Sequence, residues 1–129
     1  MKLLVDTNIL LWWFLRSDRL PDNVRAILAH AAYGVFASAV STWEIAVKSA
    51  IGRLALPGEP GRYLPDRFRR AQIHELPITA AHTYGVSALP KHHADPFDRL
   101  LIAQAQLEGM TIVTADRAFK KYDVRTLMV

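Results

Sequence analysis

The chain has 129 residues, of which 51% are hydrophobic and 22% charged, a balance that predicts one folded domain over residues 1–129 rather than a disordered segment. It contains no cysteine, which excludes disulfides, zinc–thiolate sites and iron–sulfur clusters. The 16 Lys and Arg residues against 12 Asp and Glu give a net charge of +4. That charge is compatible with a polyanionic partner, but it is common among small proteins and does not identify one.

The amino-terminal segment is apolar but does not have the pattern of a signal peptide or of a membrane span. Asp6 and Asn8 interrupt the apolar run, no small-residue cleavage site follows, and the unbroken stretch at residues 9–15 is too short to cross a bilayer. We therefore expect a soluble, cytoplasmic protein without membrane association, and the lack of cysteine suits that reducing compartment.

Apolar runs typical of buried strands alternate with helical patterns in the first half of the chain. The predicted elements are a strand at Lys2–Val5, a helix at 7–15, a helix opened by Pro21 and Asp22 with Val24, Ile27, Leu28 and Ala31 on its apolar face, a strand at Gly34–Ser38, and a helix at 41–51 ended by Gly52.

The second half continues the alternation. It predicts a Pro- and Gly-rich loop at 57–65, a basic helix at 66–72, a strand at 73–76, a helix at 79–88, a loop at 90–94, a strong helix from Asp95-Pro96 to Gly109, a strand at Thr111–Thr114, a helical turn at 116–120 and an edge strand at 124–127. Because strands alternate with helices and no hairpin dipeptide occurs, the fold class is α/β, a three-layer α/β/α arrangement with a central, mostly parallel sheet.

Four carboxylates occupy equivalent places in this predicted order. Asp6 follows the first strand and Asp116 follows the last core strand, whereas Glu44 and Asp98 lie in the first turns of two helices. In an open parallel sheet the strand ends and the helix starts meet at one edge, which is the edge where ligands bind. We therefore expect all four acids to converge there.

Each acid also has a simpler structural explanation. Asp6 and Asp116 have the positions of helix N-caps, and Glu44 and Asp98 each follow a capping residue at the spacing of a capping box, after Ser41 and Asp95 respectively. Capping is the favoured interpretation of any one acid taken singly. It is also the role that we assign to Asp95.

As a set, the four acids are difficult to explain by capping, because carboxylates held within a few ångströms raise one another's pKa unless a cation joins them. Ligation by oxygen alone suits Mg²⁺ or Mn²⁺, and such an ion activates water and holds a phosphodiester for hydrolysis. We predict Asp6 as the central ligand and Asp98 as its main partner, with Glu44 and Asp116 completing the shell.

Polar neighbours at the same edge are expected to support the ligands rather than to bind the ion. They are Thr7, Asn8, Ser41 and Thr114. With the four acids set aside, 16 basic side chains and eight remaining acidic ones leave a charge of +8 on the rest of the molecule. A positive surface around a negative pocket suits a polyanionic substrate.

The segments that carry these acids resemble a known family. LLVDTNILLWW, SAVSTWEIAVKSAIGRLALP and LPKHHADPFDRLLIAQAQLEGMTIVTADRAF are similar to the PIN-domain ribonucleases of the VapC toxin type, over residues 2 to about 125. The resemblance implies a parallel sheet with helices on both faces and cleavage of RNA that depends on Mg²⁺ or Mn²⁺. It also implies an acidic quartet at Asp6, Glu44, Asp98 and Asp116, a homodimer, and a cognate antitoxin whose tail enters the active-site groove.

Several basic residues are open between a role at the site and a structural role. Lys48 follows Glu44 by four residues, the spacing of a surface ion pair on a helix, but it also has the place of a family lysine. Arg99 either meets a phosphate or is solvated. A basic cluster is either a solvated helix face or a track for the RNA backbone, with Arg69 and Arg70 as the candidate contacts. Its members are Arg62, Arg67, Arg69 and Arg70.

Aromatic and histidine side chains are assigned mainly to structure. Trp43 is expected in the core. Trp12, Trp13 and Phe14 are expected to pack in the core, with a contact to a second protein as the alternative. His92 and His93 receive no catalytic role, since adjacent residues rarely converge on one point.

Other function classes fit the sequence less well. A phosphate-accepting receiver module needs adjacent acids after the first strand, where this chain has only Asp6, and no glycine-rich nucleotide motif or P-loop lysine is present. A metal-dependent DNA nuclease stays open, because only the resemblance favours RNA. So does a non-catalytic module that binds a metal or a partner.

Overall fold

Strands and helices alternate along residues 1–30, 33–92 and 94–129, which are the residues that the computed structural model describes. In chain order the elements are β1 (Lys2–Val5), α1 (Thr7–Phe14), α2 (Asp22–Ala29), β2 (Gly34–Ser38), α3 (Ala39–Ala50), α4 (Pro60–Ala71), β3 (His74–Leu76), α5 (Ala80–Val86), α6 (Pro96–Glu108), β4 (Thr111–Thr114), a 3₁₀ helix (Arg117–Lys121) and β5 (Thr126–Met128). No helix within the described ranges is both long enough and apolar enough to cross a membrane.

The strands form one sheet in the order β3-β2-β1-β4-β5, and every pairing is parallel. β1 lies at the centre, with Leu3 opposite Val35 of β2 and Leu4 opposite Ile112 of β4. The chain moves outward from β1 to β3 and then returns to the other side of β1. The strand order therefore reverses between β1 and β4, and a crevice at the carboxyl ends of such strands is where parallel sheets bind ligands.

Two apolar clusters cover the two faces of the sheet. Leu3 and Val5 of β1 belong to a cluster with buried side chains of α1, α2 and α4. Leu4, which points the other way, belongs to a second cluster with α6 and the 3₁₀ helix. This alternation is the two-residue period of a strand buried on both faces. The predicted α/β/α arrangement with a parallel sheet is confirmed.

The start of α4 differs from the prediction. Residues 60–65, expected to be loop, are the first turns of this helix. Pro60 occupies the beginning of the helix, where the missing N–H is not needed. Pro65 weakens the helix interior, but Leu64 and Phe68 on the same helix are buried, and tertiary packing of an apolar face stabilises a helix more than propensity does.

The start of α3 also differs. Ser38 is its N-cap, because the Ser38 hydroxyl accepts from the Val40 N–H at 2.9 Å. Ser41 is therefore inside the helix, the predicted capping box of Ser41 and Glu44 is wrong, and Glu44 lies in the second turn rather than the first.

The other boundaries agree to within about two residues. Ala31, expected on the apolar face of α2, lies outside the described residues.

A buried polar network fixes α6 against the ends of β2 and β3. Gln104 of α6 is fully buried, and its amide oxygen accepts from the Ser38 hydroxyl. Its amide nitrogen lies 3.3 Å from the Pro77 carbonyl oxygen and 3.3 Å from Nδ1 of His82. Since the same Ser38 hydroxyl caps α3, the network links the start of α3 to α6, the two helices that carry Glu44 and Asp98.

Replacing Gln104 with leucine is expected to destabilise the protein. The substitution keeps the volume but leaves the Ser38 hydroxyl and the Pro77 carbonyl without this partner, at a cost of about 1–3 kcal/mol in the free energy of unfolding. Urea denaturation measures the loss. Gln106→Leu is the matched control, because Gln106 is exposed on the same helix and donates to the Asp123 carbonyl at 3.1 Å. An equal loss in both variants would contradict the role of the network.

Candidate active site

Asp6 is fixed at the end of β1 by three hydrogen bonds. Its backbone N–H donates to the Val113 carbonyl at 2.9 Å. One carboxylate oxygen, Oδ1, accepts from the Thr7 N–H at 2.7 Å, and the other, Oδ2, accepts from the Thr114 hydroxyl at 2.8 Å. Asp6 is only 6% exposed. The predicted N-cap contact to α1 is confirmed, and the side chain also lies at the crevice between β1 and β4.

The Thr114 hydroxyl links Asp6 to Asp116. While it donates to Asp6, its oxygen accepts from the Asp116 N–H at 3.0 Å. Asp116 then caps the 3₁₀ helix by accepting from the Ala118 N–H at 2.9 Å, as its position in the sequence predicts. One buried hydroxyl thus couples the carboxyl ends of the two strands that border the crevice.

Glu44 lies next to this crevice on α3 and is nearly buried, at 7% exposure. Its Oε2 is 2.6 Å from Nζ of Lys48, so the ion pair predicted from the spacing is present. The Thr7 hydroxyl donates to the Ser41 hydroxyl at 2.8 Å, and both groups are buried. That bond ties the start of α1 to α3 and so brings the helix of Glu44 beside Asp6.

Asp98 lies in the first turn of α6, which is capped by Asp95. The Asp95 carboxylate accepts from the N–H groups of Phe97 and Asp98 at 2.9 and 3.1 Å. The structural role predicted for Asp95 is confirmed. Because α6 runs back toward the start of β4, its first turn lies at the same edge of the sheet as Asp6.

The acids influence one another electrostatically. Burial raises the pKa of Asp98 to about 8, and the negative charges of Asp6, Asp95, Glu44 and Asp116 add to the rise. Burial also raises the pKa of Asp6 to about 6, against the hydrogen bonds from Thr114 and Thr7 and together with the charges of Glu44 and Asp116. Asp6, Glu44, Asp98 and Asp116, here called the acidic group, therefore share one electrostatic environment.

The acidic group is not a preformed cage. Among the residues that the structure describes, no group of three or more His, Cys, Asp or Glu side chains is close enough to hold a metal ion on its own. The oxygens available are carboxylates, supported by the hydroxyls of Thr7, Ser41 and Thr114, with Asn8 exposed on α1. Such a donor set fits a hard cation such as Mg²⁺, which usually keeps several waters and takes one or two carboxylates.

Arg99 is held by several contacts within the protein. Its guanidinium donates to the carbonyl of Val86, the last residue of α5, at 3.3 Å and to those of Leu89 and Pro90 just after the helix at 3.4 and 2.8 Å. It also lies 3.4 Å from the Tyr122 hydroxyl. Arg99 is therefore not simply solvated, since it fastens the first turn of α6 to the segment at the end of α5; a contact with phosphate stays a prediction.

Arg69 and Arg70 are not brought to the acidic group. Both pair with Asp66 on α4, at 2.6 and 3.1 Å. They lie in the last turn of α4, which leads into the start of β3, so they are at the opposite edge of the sheet. There Arg69 lines a cavity with His74. Arg69 and Arg70 therefore do not extend the acidic site.

Trp43 lies beside the site instead of in the core. It is 54% exposed, and its ring meets Phe97 edge-on with 4.8 Å between centroids. The prediction of a core position is wrong, because α3 turns Val40 and Ile45 inward and leaves Trp43 on the open side.

His92 is exposed and packs edge-on against Tyr122, whereas His93 lies outside the described residues.

Comparison with known proteins agrees with this fold. Residues 3–125 match the family model of the PIN domain. The chain belongs to the PIN domain family. Among relatives, Ribonuclease VapC16 of Mycobacterium tuberculosis (strain ATCC 25618 / H37Rv) is 37% identical to this chain over a stretch of 62 residues. That alignment covers 48% of this chain and 44% of the relative, less than half the length of either protein.

Solved structures share the PIN fold over most of the chain. The crystal structure of VapBC2 from Rickettsia felis, bound to a DNA fragment from its promoter, matches with a TM-score of 0.75 and 17% identity over 100% of this chain and 99% of that one. A toxin–antitoxin complex from Klebsiella pneumoniae matches with a TM-score of 0.55 and 18% identity over 88% and 85%. At these identities the likeness shows the fold, and the predicted PIN-like architecture is confirmed.

Without divalent cations, this PIN domain is expected to lose stability as the pH rises. The folded state holds protons on Asp6 and Asp98 at pKa values of about 6 and about 8, against an ordinary value of 3.8. The stability that these two groups contribute is therefore complete below pH 3.8, and it is lost as the pH rises through their pKa values in the folded state. In EDTA, Asp98→Asn should lose less unfolding free energy between pH 5 and pH 8 than the unaltered protein does, as urea denaturation would measure.

A suitable control for this pH experiment is Asp123→Asn. Asp123 is exposed and lines a cavity with Gly109 and Met110, at the edge of the sheet opposite to the acidic group. Its pH profile should match that of the unaltered protein. If Asp98→Asn also matched, the raised pKa of Asp98 would be contradicted.

Arg99→Ala is expected to destabilise the protein by about 1–3 kcal/mol, because the carbonyls at the end of α5 lose a charged donor. Thermal and urea unfolding would measure the loss. Arg53→Ala removes an exposed arginine just after α3 and should change stability by less than about 0.5 kcal/mol. Equal stability of the two variants would show that the Arg99 contacts contribute nothing.

Proposed function

We propose that this PIN domain protein is a metal-dependent endoribonuclease that hydrolyses phosphodiester bonds in RNA. The observation that carries the proposal is the acidic group, which lies at the switch point of a parallel sheet and shares one electrostatic environment. The choice of RNA is supported by the relative named Ribonuclease VapC16.

The residues present fit Mg²⁺ or Mn²⁺. Asp6 and Asp98 are the proposed ligands, with Glu44 and Asp116 as further ligands or as acceptors for metal-bound water. The fit rests on a set of oxygen donors in a site where burial, together with the charges of the neighbouring acids, raises the pKa values of Asp6 and Asp98 when no cation is near. When bound, such an ion lowers the pKa of a water molecule and offsets the negative charge of the phosphodiester.

Side chains around the acids keep them in place for that role. The Thr7 N–H and the Thr114 hydroxyl hold both oxygens of Asp6, so the carboxylate loses little entropy when a ligand binds. Lys48 holds the Glu44 carboxylate and offsets part of its charge. Thr7 and Ser41 keep α1 and α3 together. These contacts restrict the acids without using all the lone pairs of their oxygens.

We further propose that the enzyme is the toxin of a toxin–antitoxin pair and is silenced by a protein antitoxin. The likeness of its fold to a chain in a toxin–antitoxin complex supports such a partner. A homodimer is proposed on the family resemblance.

The test of the nuclease activity uses the purified chain with labelled RNA. Cleavage is expected with Mg²⁺ or Mn²⁺ and should stop with EDTA. Asp6→Asn and Asp98→Asn should each reduce the cleavage rate by at least about 100-fold, because each removes a charged metal ligand. The control Asp123→Asn should keep full activity, and urea denaturation should show that all three variants fold.

Three results would redirect the proposal. Preferential cleavage of DNA of the same sequence would favour the DNA nuclease that the metal chemistry equally permits. Cleavage that survives both Asp6→Asn and Asp98→Asn would refute the acidic group as the active site. Absence of cleavage of any RNA by the unaltered protein, with its metal bound, would favour a non-catalytic binding module.

A further inference from the structure

An aromatic pair lies beside the acidic group. Trp43 comes immediately before Glu44 on α3, and Phe97 comes immediately before Asp98 on α6. Their rings meet at an interplanar angle of 67° with 4.8 Å between centroids. The contact joins the two helices at the level of their acids, so the pair and the acidic group border the same part of the molecule.

Trp43 is unusually exposed for a tryptophan that has a fixed neighbour. Its exposure is 54%, whereas Phe97 is half-buried. An edge-on contact holds the indole by one side and leaves ring surface open to solvent. A large apolar surface in that position is unfavourable in water and often marks a binding site.

Arg117, which is exposed next to Asp116, can attract a phosphate, but the basic side chains predicted as RNA contacts add little free charge at this place. The acidic group is negative, and the nearby Lys48 is paired with Glu44. Arg99 is bound to the carbonyls at the end of α5, and Arg69 and Arg70 lie at the opposite edge of the sheet. Stacking of a nucleobase on an aromatic ring attracts RNA without depending on phosphate charge, and it is worth about 1–3 kcal/mol per base.

We propose that Trp43, held edge-on by Phe97, is a stacking platform for a nucleobase of the substrate next to the phosphate that is cleaved. This inference rests on the proposed function, since it takes single-stranded RNA as the substrate. Phe97 limits the motion of the indole before binding, so the ring loses little entropy when a base stacks on it. Trp43 is then a positioning residue, which places the chain of the RNA against the acids.

The alternative occupant of this surface is a protein that docks along α3, and the experiment distinguishes it from a stacked nucleobase. Val47 of α3 and Ile51, which directly follows the helix, are 39% and 61% exposed and continue from Trp43 at four-residue spacing. A protein that docked along this helix would contact all three side chains. A stacked base beside the acidic group would contact Trp43 and leave Ile51, two turns away, free.

The experiment measures RNA binding separately from cleavage. Fluorescence anisotropy gives the dissociation constant of a labelled single-stranded ten-nucleotide RNA, with the protein in EDTA to prevent metal-dependent cleavage. A second oligonucleotide has the same backbone without bases. Trp43→Ala should weaken binding of the first by about 10-fold or more and leave binding of the second unchanged. Trp43→Phe should restore most of the affinity, and the control Ile51→Ala should bind as the unaltered protein does.

Two further measurements connect binding to the site. Trp43 fluorescence should be quenched by the RNA with bases and not by the abasic one, and Trp43→Phe should remove that response while Trp12 and Trp13 remain. In Mg²⁺, Trp43→Ala should raise KM for RNA more than it lowers kcat. An equal loss of affinity for the abasic oligonucleotide, or an equal effect of Ile51→Ala, would overturn the platform and favour a docking face for protein.

The outcomes separate this inference from the proposed function. Efficient cleavage by Trp43→Ala, with unchanged affinity for RNA, would remove the platform and leave the nuclease intact. Failure of the unaltered protein to cleave RNA, with base-dependent binding that is lost in Trp43→Ala, would remove the nuclease and leave the platform as a binding site.

Discussion

Burial of neighbouring carboxylates at the carboxyl edge of the sheet is the constraint on which the rest of the site depends. Burial, with a smaller contribution from the charges of the other acids, raises the pKa values of Asp6 and Asp98, so the fold must offset the cost of keeping charged carboxylates there. Apolar packing on both faces of the sheet stabilises the strands and helices that carry the acids. Hydrogen bonds from the Thr7 N–H and the Thr114 hydroxyl fix the carboxylate of Asp6. A cation that offset these buried charges would stabilise the protein while it bound.

Capping and ligand binding are compatible roles for the same acid. Asp6 and Asp116 each accept from the N–H of a helix start, as a purely structural interpretation predicts. A carboxylate has about four lone-pair sites, so one hydrogen bond to a helix leaves capacity for a second partner. The cap fixes the orientation of the side chain. The two interpretations of the sequence therefore describe one arrangement, in which the helix start aims the carboxylate.

The sequence predicted the elements that depend on local pattern and missed contacts that depend on how elements face one another. The parallel sheet and the capped start of α6 at Asp95 follow from periodicity and spacing. The prediction that Trp43 lies in the core was wrong because helical periodicity does not determine which side of α3 faces the sheet. The partners of Arg99 were missed because they are backbone carbonyls, which every residue has and no pattern distinguishes. The roles of the acids remain predictions.

The sheet ends on both sides in a strand of only three residues, β3 at His74–Leu76 and β5 at Thr126–Met128. Unpaired strand edges are templates for self-association and fibril growth, and short edge strands are one way in which proteins limit that risk. This chain exposes little backbone that could be extended by another strand. A neighbouring strand would find few free backbone groups to pair with at either edge of the sheet.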